Sequence, residues 1–334
     1  MTGAAAPPVP QVPLAVQFLE LTNGVLVTGM VEVLMRHRIA EHMQAGRCTP
    51  QELAAATGLP KRSVYRLLRA STALGLFTRD GLDSFVLTPL GEMLETYAGS
   101  EWGFDALAAF PEALQTGRSG MEVAHGMGAF EFFEQHPEAG AKFDALLQAI
   151  NAGEQQAVAD AYPFGGVELL VDVGGGNGSM LATLLSRHSG LRGVLFDQPS
   201  VIGRGAPALE AHPGRYEVVG GDFFDAVPEG ADAYLLSHVL HDWPEDGCVR
   251  ILDSCRQAMR PGGRVLIGEM VIPPDDSPHP GKLSDMMMIA FNGEGMERTE
   301  AEYADLLGRA GYRIERVVPT ASPVSIVEAV PQPR

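Results

Sequence analysis

The spacing of apolar residues changes twice along the chain. From Thr49 to Ala70, TPQELAAATGLPKRSVYRLLRA carries apolar positions at helical intervals in two blocks. Thr49 suits an N-cap, Pro50 the first helical position and Gly58 the turn between the blocks. Ala54, Gly58 and Val64 have helix-turn-helix spacing. LGLFTRDGLDSFVLT then gives two short β-runs on either side of Asp80-Gly81, a dipeptide that favours a tight hairpin. TPLGEML restarts a helix at Thr88-Pro89, and the whole predicts a winged helix-turn-helix.

Residues 101 to about 165 return to helical spacing in WGFDALAAFPEALQTG, FEFFEQHP and PEAGAKFDALLQAINAGEQQAVADAY, interrupted at Gly126, Gly128 and Pro137. Beyond Gly165-Gly166, short apolar runs alternate with helical stretches: VELLVDVG, GVLFDQ, RYEVVGGD, AYLLSH, GGRVLIGEMVI, YRIERVV and PVSIVEAV. That alternation predicts an α/β domain with a parallel, doubly wound sheet. The last two runs, joined by a short PTAS turn, are expected to close it as an antiparallel pair. The expected domains are a leader over 1–13, a mostly helical winged-helix domain over 14–100, a helical connector over 101–165 and the α/β domain over 166–334.

Composition narrows the partners. The 334 residues are 46% hydrophobic and 20% charged, as in soluble globular proteins. In the letters alone no apolar run approaches the roughly 20 residues of a spanning helix, so no membrane is expected. The opening MTGAAAPPVPQVP lacks the basic start and long apolar core of a signal peptide, which points to the cytoplasm. Cys48, Cys248 and Cys255 form no CxxC pair and fit a reducing compartment as ordinary packed thiols. A net charge of −18 repels polyanions and argues against nucleic acid. Lys61, Arg62, Arg66 and Arg69 on the second helix of the winged motif are the case for DNA reading; dimerisation is the competing use of that fold.

The loop VDVGGGNGSM carries the chemistry. A dinucleotide fingerprint G-x-G-x-x-G needs glycine or alanine at its third position, which here is Ser179 or Leu181, so the nicotinamide reading fails. What remains is Asp172 at a strand end followed by Gly174, Gly176 and Gly178 in the turn. Glycines admit close backbone approach, and a carboxylate there meets an ammonium group, a combination suited to the amino-acid part of S-adenosylmethionine. Asp197, about 20 residues on, is placed for ribose hydroxyls. Asp222, with Phe223 beside it, is placed for an adenine amino group. Each acid alone is equally well a surface residue or helix cap; three at successive strand ends point to a ligand.

With these pieces, LTPLGEML, LSHVLHDWPED, PGGRVLIGE, MMMIAFNGEGMERT and a terminal SIVEA, nearly the whole chain resembles the S-adenosylmethionine-dependent small-molecule O-methyltransferases of plant phenylpropanoid and bacterial aromatic-polyketide pathways. The resemblance implies a Rossmann-like methyltransferase sheet, a homodimer formed through the N-terminal domain, an aromatic acceptor held partly by the connector, and S-adenosylmethionine as the cofactor. It implies His241 as general base, with Glu269 and Glu297 flanking and holding its ring. It adds Ser237 and Trp243 to the cofactor contacts, and Met288, Phe291, Asn292, Leu147 and Ile150 to the acceptor pocket.

Each assignment has a plainer reading. His241 precedes a helix start at Pro244, Glu297 opens ERTEAEY with Thr299 and Glu302 as a capping pair, and Met286–Met288 fits core filling. The chain also departs from the family: Ser237 stands where plant members often have lysine, and the helix around Leu147, Ile150 and Asn151 differs. His238 and His241 stand three apart without an evident third ligand, so no metal is expected. No G-x-S-x-G elbow or P-loop occurs. Two rivals stay open: a same-fold relative using the cofactor for decarboxylation or hydroxylation, which retention of His241 opposes, and a winged-helix regulator.

Overall fold

The structure, a computed structural model, describes residues 12–333, and every statement below concerns those residues. Most of the expected leader, residues 1–11, lies outside them. The described residues divide into two compact units, one ending at Phe104 and the other beginning at Asp105.

In the first unit, α1 (Leu14–Thr22), α2 (Gly24–Arg36) and α3 (Ile39–Gln44) precede the expected motif of α4 (Pro50–Thr57), α5 (Lys61–Ala73), the hairpin β1 (Phe77–Asp80) and β2 (Ser84–Leu87), and α6 (Pro89–Thr96). Thr49 and Glu52 close a reciprocal capping box at the start of α4, and Gly58 ends that helix at φ +74°, as the local sequence requires. The strands pair antiparallel from Phe77 opposite Leu87 to Asp80 opposite Ser84, turning the rings of Phe77 and Phe85 into a core with Leu34, Ile39, Leu53, Val64 and Leu68. The first helices correct the reading of the letters: Leu14–Arg36 is long and apolar enough, by length and composition, to cross a membrane. Glu20, Asn23, Gly24 and Glu32 interrupt the letters while the stretch remains apolar on average. Little of it is buried, and Leu14, Phe18, Leu21, Val25 and Leu26 are exposed.

α7 (Glu101–Ala108) leads from the first unit to the second, where α8 (Phe110–Thr116), α9 (Gly120–His125), α10 (Ala129–Gln135) and the 25-residue α11 (Pro137–Ala161) precede a seven-stranded sheet. The sheet's strands are β3 (Leu169–Val173), β4 (Arg192–Asp197), β5 (Tyr216–Gly220), β6 (Ala233–Ser237) and β7 (Arg264–Glu269), with β10 (Tyr312–Pro319) and β11 (Ser325–Pro331) following the short pair β8 (Val271–Ile272) and β9 (Arg298–Thr299). All seven runs expected from the sequence are strands. The order β10-β11-β7-β6-β3-β4-β5 is parallel except for β11, which runs antiparallel to both β7 and β10. The intervening helices are α12 (Ser179–Arg187), α13 (Pro199–Ile202), α14 (Glu245–Ala258), α15 (Gly281–Phe291) and α16 (Glu300–Arg309).

Alternate residues of the central strands feed two cores. Val171, Tyr234, Leu236, Val265 and Ile267 pack with α14 and α16, while Leu170, Leu235 and Leu266 pack with α11 and α12. Burial on both faces explains why β3, β6 and β7 are nearly continuous apolar runs. Strand order reverses between β3 and β6, which opens a crevice beyond their carboxyl ends where ligands of such sheets bind.

Candidate active site

The glycine loop leaves β3 at that crevice. Gly174, Gly176 and Gly178 take φ of +70°, +59° and +77°, the left-handed region that other residues rarely adopt. Gly175, which sequence reasoning passed over, is needed for space: a Cβ there would lie 2.7 Å from Asp172 Oδ2 and 2.5 Å from Leu195 Cδ1. Asp197 at the end of β4 secures the loop, its Oδ2 accepting the Gly176 N–H at 2.8 Å.

The cleft beyond the loop is lined by Asp172, Gly174, Gly176, Ser237, His238 and, from α11, Leu147 and Glu154. Asp172 is 1% exposed and its Oδ2 has no hydrogen-bond partner. Burial first, then the nearby Asp197 carboxylate, pushes its pKa up to about 7. His238 holds φ +54° and faces Glu154, Nε2 to Oε2 at 3.0 Å. That pair links residues 84 apart and had no signal in the sequence, since Glu154 reads as part of an ordinary polar helix face. Asp222 is exposed and its Oδ1 accepts the Phe224 N–H at 2.8 Å. Phe223 lies near Gly174 and meets Trp243 edge-on, while Phe130 stacks on Trp243 with centroids 5.5 Å apart. Ile150, half exposed, does not line this cleft.

His241 sits next to the crevice in a 3-10 turn, Leu240–Asp242, just past β6, and is 8% exposed. Its Nδ1 lies 3.1 Å from Glu297 Oε1, and its Nε2 lies 3.6 Å from Asp242 Oδ1. Glu297 also accepts from the Ser284 hydroxyl at 2.9 Å. Burial disfavours the imidazolium, but Asp242, Glu297 and Glu269 outweigh it and raise the His241 pKa to about 10. The His241 hydrogen bond holds Glu297 below its ordinary value despite burial, whereas burial lifts Asp242 to about 6. Glu297 therefore faces the ring while Thr299 and Glu302 cap α16, so the two readings of ERTEAEY coexist.

Glu269 departs from the expected role. Its Oε1 accepts the backbone N–H groups of Val239, Leu240 and His241 at 3.2, 2.7 and 3.2 Å, and its Oε2 accepts the Tyr303 hydroxyl. It grips the turn, not the ring, because a carboxylate ending β7 lies beside the backbone that leaves β6. The metal reading also changes: one ligand atom from each of His241, Glu269 and Glu297 lies within 4.8 Å of the others, a cluster invisible in sequence spacing. Both Glu269 oxygens are engaged by donors. Asn292 donates to Asp242, tying the end of α15 to the His241 turn. Met288 and Phe291 are half-buried, and Met286 and Met287 are 37% and 44% exposed, so that run is not plain core filling.

A doubly wound sheet with a glycine-rich crevice and a buried histidine–carboxylate pair beside it defines a group-transfer enzyme working next to a nucleoside-type ligand. The family model of an O-methyltransferase domain matches residues 107–313, and that of an O-methyltransferase dimerisation domain matches 19–96. A phenazine O-methyltransferase of Lysobacter antibioticus is 36% identical, covering 96% of this chain and 97% of its own. The mitomycin biosynthesis 6-O-methyltransferase of Streptomyces lavendulae is 33% identical, covering 92% of each chain. A phenazine-1-carboxylate N-methyltransferase of Pseudomonas aeruginosa is 31% identical, covering 90% of this chain and 92% of its own. A crystal structure of an O-methyltransferase from neocarzinostatin biosynthesis, with S-adenosylmethionine and 2-hydroxy-5-methyl naphthoic acid, superposes with a TM-score of 0.79 at 34% identity, covering 91% of this chain and 96% of its own. The chain belongs to the O-methyltransferase family and is an O-methyltransferase.

Proposed function

We propose that this enzyme methylates a phenolic or related hydroxyl of an aromatic small molecule in secondary metabolism, with His241 as general base. The methyl donor is S-adenosylmethionine, which supplies a methyl group on a positively charged sulfur. The observation that carries the reading is the unpartnered, buried Asp172 oxygen in a glycine-lined cleft, one strand away from the buried His241–Glu297 pair. Of the carboxylates lining that cleft, Asp144 pairs with Arg204 and Glu154 with His238, which leaves Asp172 as the one that suits a cationic ligand group. Asp172 and the loop from Gly174 to Gly178 would hold the amino-acid end, Asp197 the ribose, and Asp222, Phe223 and Trp243 the base. His241, near pKa 10, is matched to a phenol, whose ordinary value is also about 10, so proton transfer between them is nearly balanced. Glu297 fixes the ring through Nδ1 and leaves Nε2 toward the acceptor. Acceptor contacts fall to Met288, Phe291 and Asn292, with Leu147 and Ile150 on α11.

The test is mass-spectrometric detection of product from S-adenosylmethionine carrying an isotopically labelled methyl group, offered with hydroxyphenazines, hydroxynaphthoates, simple phenols and anilines. Label on a hydroxyl oxygen is the expected outcome; label only on nitrogen, or altered acceptors without label, would overturn it.

The exposed row of Leu14, Phe18, Leu21, Val25 and Leu26 within the dimerisation domain supports a homodimer, in which a second copy covers this apolar surface. Sedimentation equilibrium in detergent-free buffer should give twice 35.6 kDa, and Phe18→Asp with Val25→Asp should shift the population to monomer. A wild-type monomer, or recovery only in detergent, would reject the homodimer.

Gly295 supplies a further expectation. A Cβ there would lie 2.3 Å from the His241 carbonyl oxygen, so the loop before Glu297 crosses the His241 turn with room only for hydrogen. Gly295→Ala should lower kcat about tenfold or more through misplacement of the base and cost about 1–3 kcal/mol in thermal denaturation. Wild-type turnover would show that the crossing has no bearing on His241.

A further inference from the structure

The turn carrying His241 is held at both ends by buried charge. On one side Glu269 gathers the N–H groups of Val239, Leu240 and His241. On the other side Arg298, 1% exposed, donates through Nη1 to the carbonyls of Leu240 and Met296 at 3.1 and 3.2 Å. Its Nη2 points to the Trp243 carbonyl and the Cys248 sulfur at 3.5 and 3.6 Å. Among the described residues no carboxylate oxygen forms an ion pair with Arg298 within 4.0 Å.

A buried guanidinium without a carboxylate partner is costly to desolvate, and an apolar side chain of similar volume would fill the same space at less cost. Each of its two terminal nitrogens reaches a carbonyl of the segment that carries His241, Leu240 for Nη1 and Trp243 for Nη2. In a 3-10 turn the N–H groups point one way and the carbonyls the other, so an anion at the first end and a cation at the second both match the turn's dipole. The two charges come from different elements, the end of β7 and the short strand β9, and both reach the backbone of this turn. Tyr303 on α16 steadies the anionic end by donating to Glu269.

We propose that Arg298 is a positioning residue, which together with Glu269 clamps the 239–243 segment and so fixes the direction in which His241 presents its ring to the acceptor. This rests on His241 being the base, and the test separates the two ideas. Arg298→Met and Arg298→Lys are compared with wild type, with His241→Ala and with the double variants, using labelled S-adenosylmethionine and the best acceptor of the panel above. Donor affinity, read by calorimetry, falls far less than kcat, because Trp243 alone of the proposed donor contacts lies in the clamped segment, while Asp172, the glycine loop and Asp197 lie outside it. Arg298→Met lowers kcat about 10–100-fold with little change in acceptor KM, as removing a supporting contact does, and Arg298→Lys restores part of it. In the His241→Ala background Arg298→Met causes no further loss, since it acts through the ring already removed.

Additive losses in the double variant, or donor affinity falling in parallel with kcat, would reduce Arg298 to a structural residue and overturn the proposal. A His241→Ala enzyme with full activity would instead overturn the base itself. Should Arg298→Met fail to fold, Tyr303→Phe removes one donor to Glu269 with almost no change in volume. It should lower kcat several-fold with the same non-additivity toward His241→Ala, and additive behaviour there would count against the clamp.

Discussion

His241→Ala is expected to lower kcat by about 10²–10⁴ while leaving donor affinity within about twofold, the effect of deleting a general base that does not touch the donor cleft. The size follows from what the ring would do. The acceptor oxygen must shed its proton as the bond to carbon forms, and at neutral pH a phenol is almost entirely protonated. The carboxylates around His241 raise its affinity for that proton, so the neutral ring is a scarce but strong acceptor in the absence of ligands. The sign for pH follows directly. A base with a raised pKa is neutral only toward alkaline pH, so kcat/KM should climb through the neutral range instead of levelling near 6.5. Glu297→Gln removes one of the charges that raise the pKa, so the limb should move to lower pH while the plateau falls. Similar turnover in His241→Ala, or a flat profile from pH 6 to 9, would leave positioning alone as the source of rate.

Asp172→Asn should act in opposite directions on stability and on binding. The folded-state pKa of Asp172 is raised to about 7, against an ordinary value of 3.8 in the unfolded chain. A raised carboxyl binds a proton more tightly when folded, so stability falls as pH climbs from about 4 through 7 and stays low above. Taken alone, that linkage amounts to about 4 kcal/mol at pH 8, an upper figure because neighbouring groups titrate with it. Asparagine removes the buried charge, so the ligand-free variant should melt several degrees higher at pH 8 and almost unchanged at pH 4.5. The same change removes the anion facing a cationic ligand, and affinity for S-adenosylmethionine should drop about 10–100-fold, the order of a lost charge-assisted hydrogen bond. Thermal denaturation at the two pH values and calorimetric titration decide it. A variant that binds the donor as well as wild type would move the ammonium contact away from Asp172, and one no more stable at pH 8 would mean the carboxylate is not strained by burial.

Much of the architecture was legible because it rests on interactions between near neighbours. Thr49 and Glu52, three residues apart, cap a helix between them, Asp80-Gly81 turns a hairpin, and four glycines in five residues announce a backbone at positive φ, which three of them adopt. The seven apolar runs of the sheet follow from strands buried on both faces. The candidate site was legible only as a set of residue types. His241, Glu269, Glu297 and Asp172 stood out because polar groups in apolar surroundings demand a reason, and motif resemblance supplied one.

What those groups touch was decided elsewhere. The sequence by itself determined the winged motif, the apolar runs of the sheet and the glycine loop, all written in periods and turns that local sterics enforce, and it singled out Asp172, His241, Glu269 and Glu297 but not the equally buried Arg298. The tertiary structure alone decided that Glu269 grips backbone from 28 to 30 residues away, that Glu297 reaches His241 across 56, that Arg298 closes the far side of the same turn across 58, and that His238 meets Glu154 across 84. Such contacts depend on strand register and helix packing, where a shift of one residue turns a side chain to the opposite face, and no local pattern carries that information.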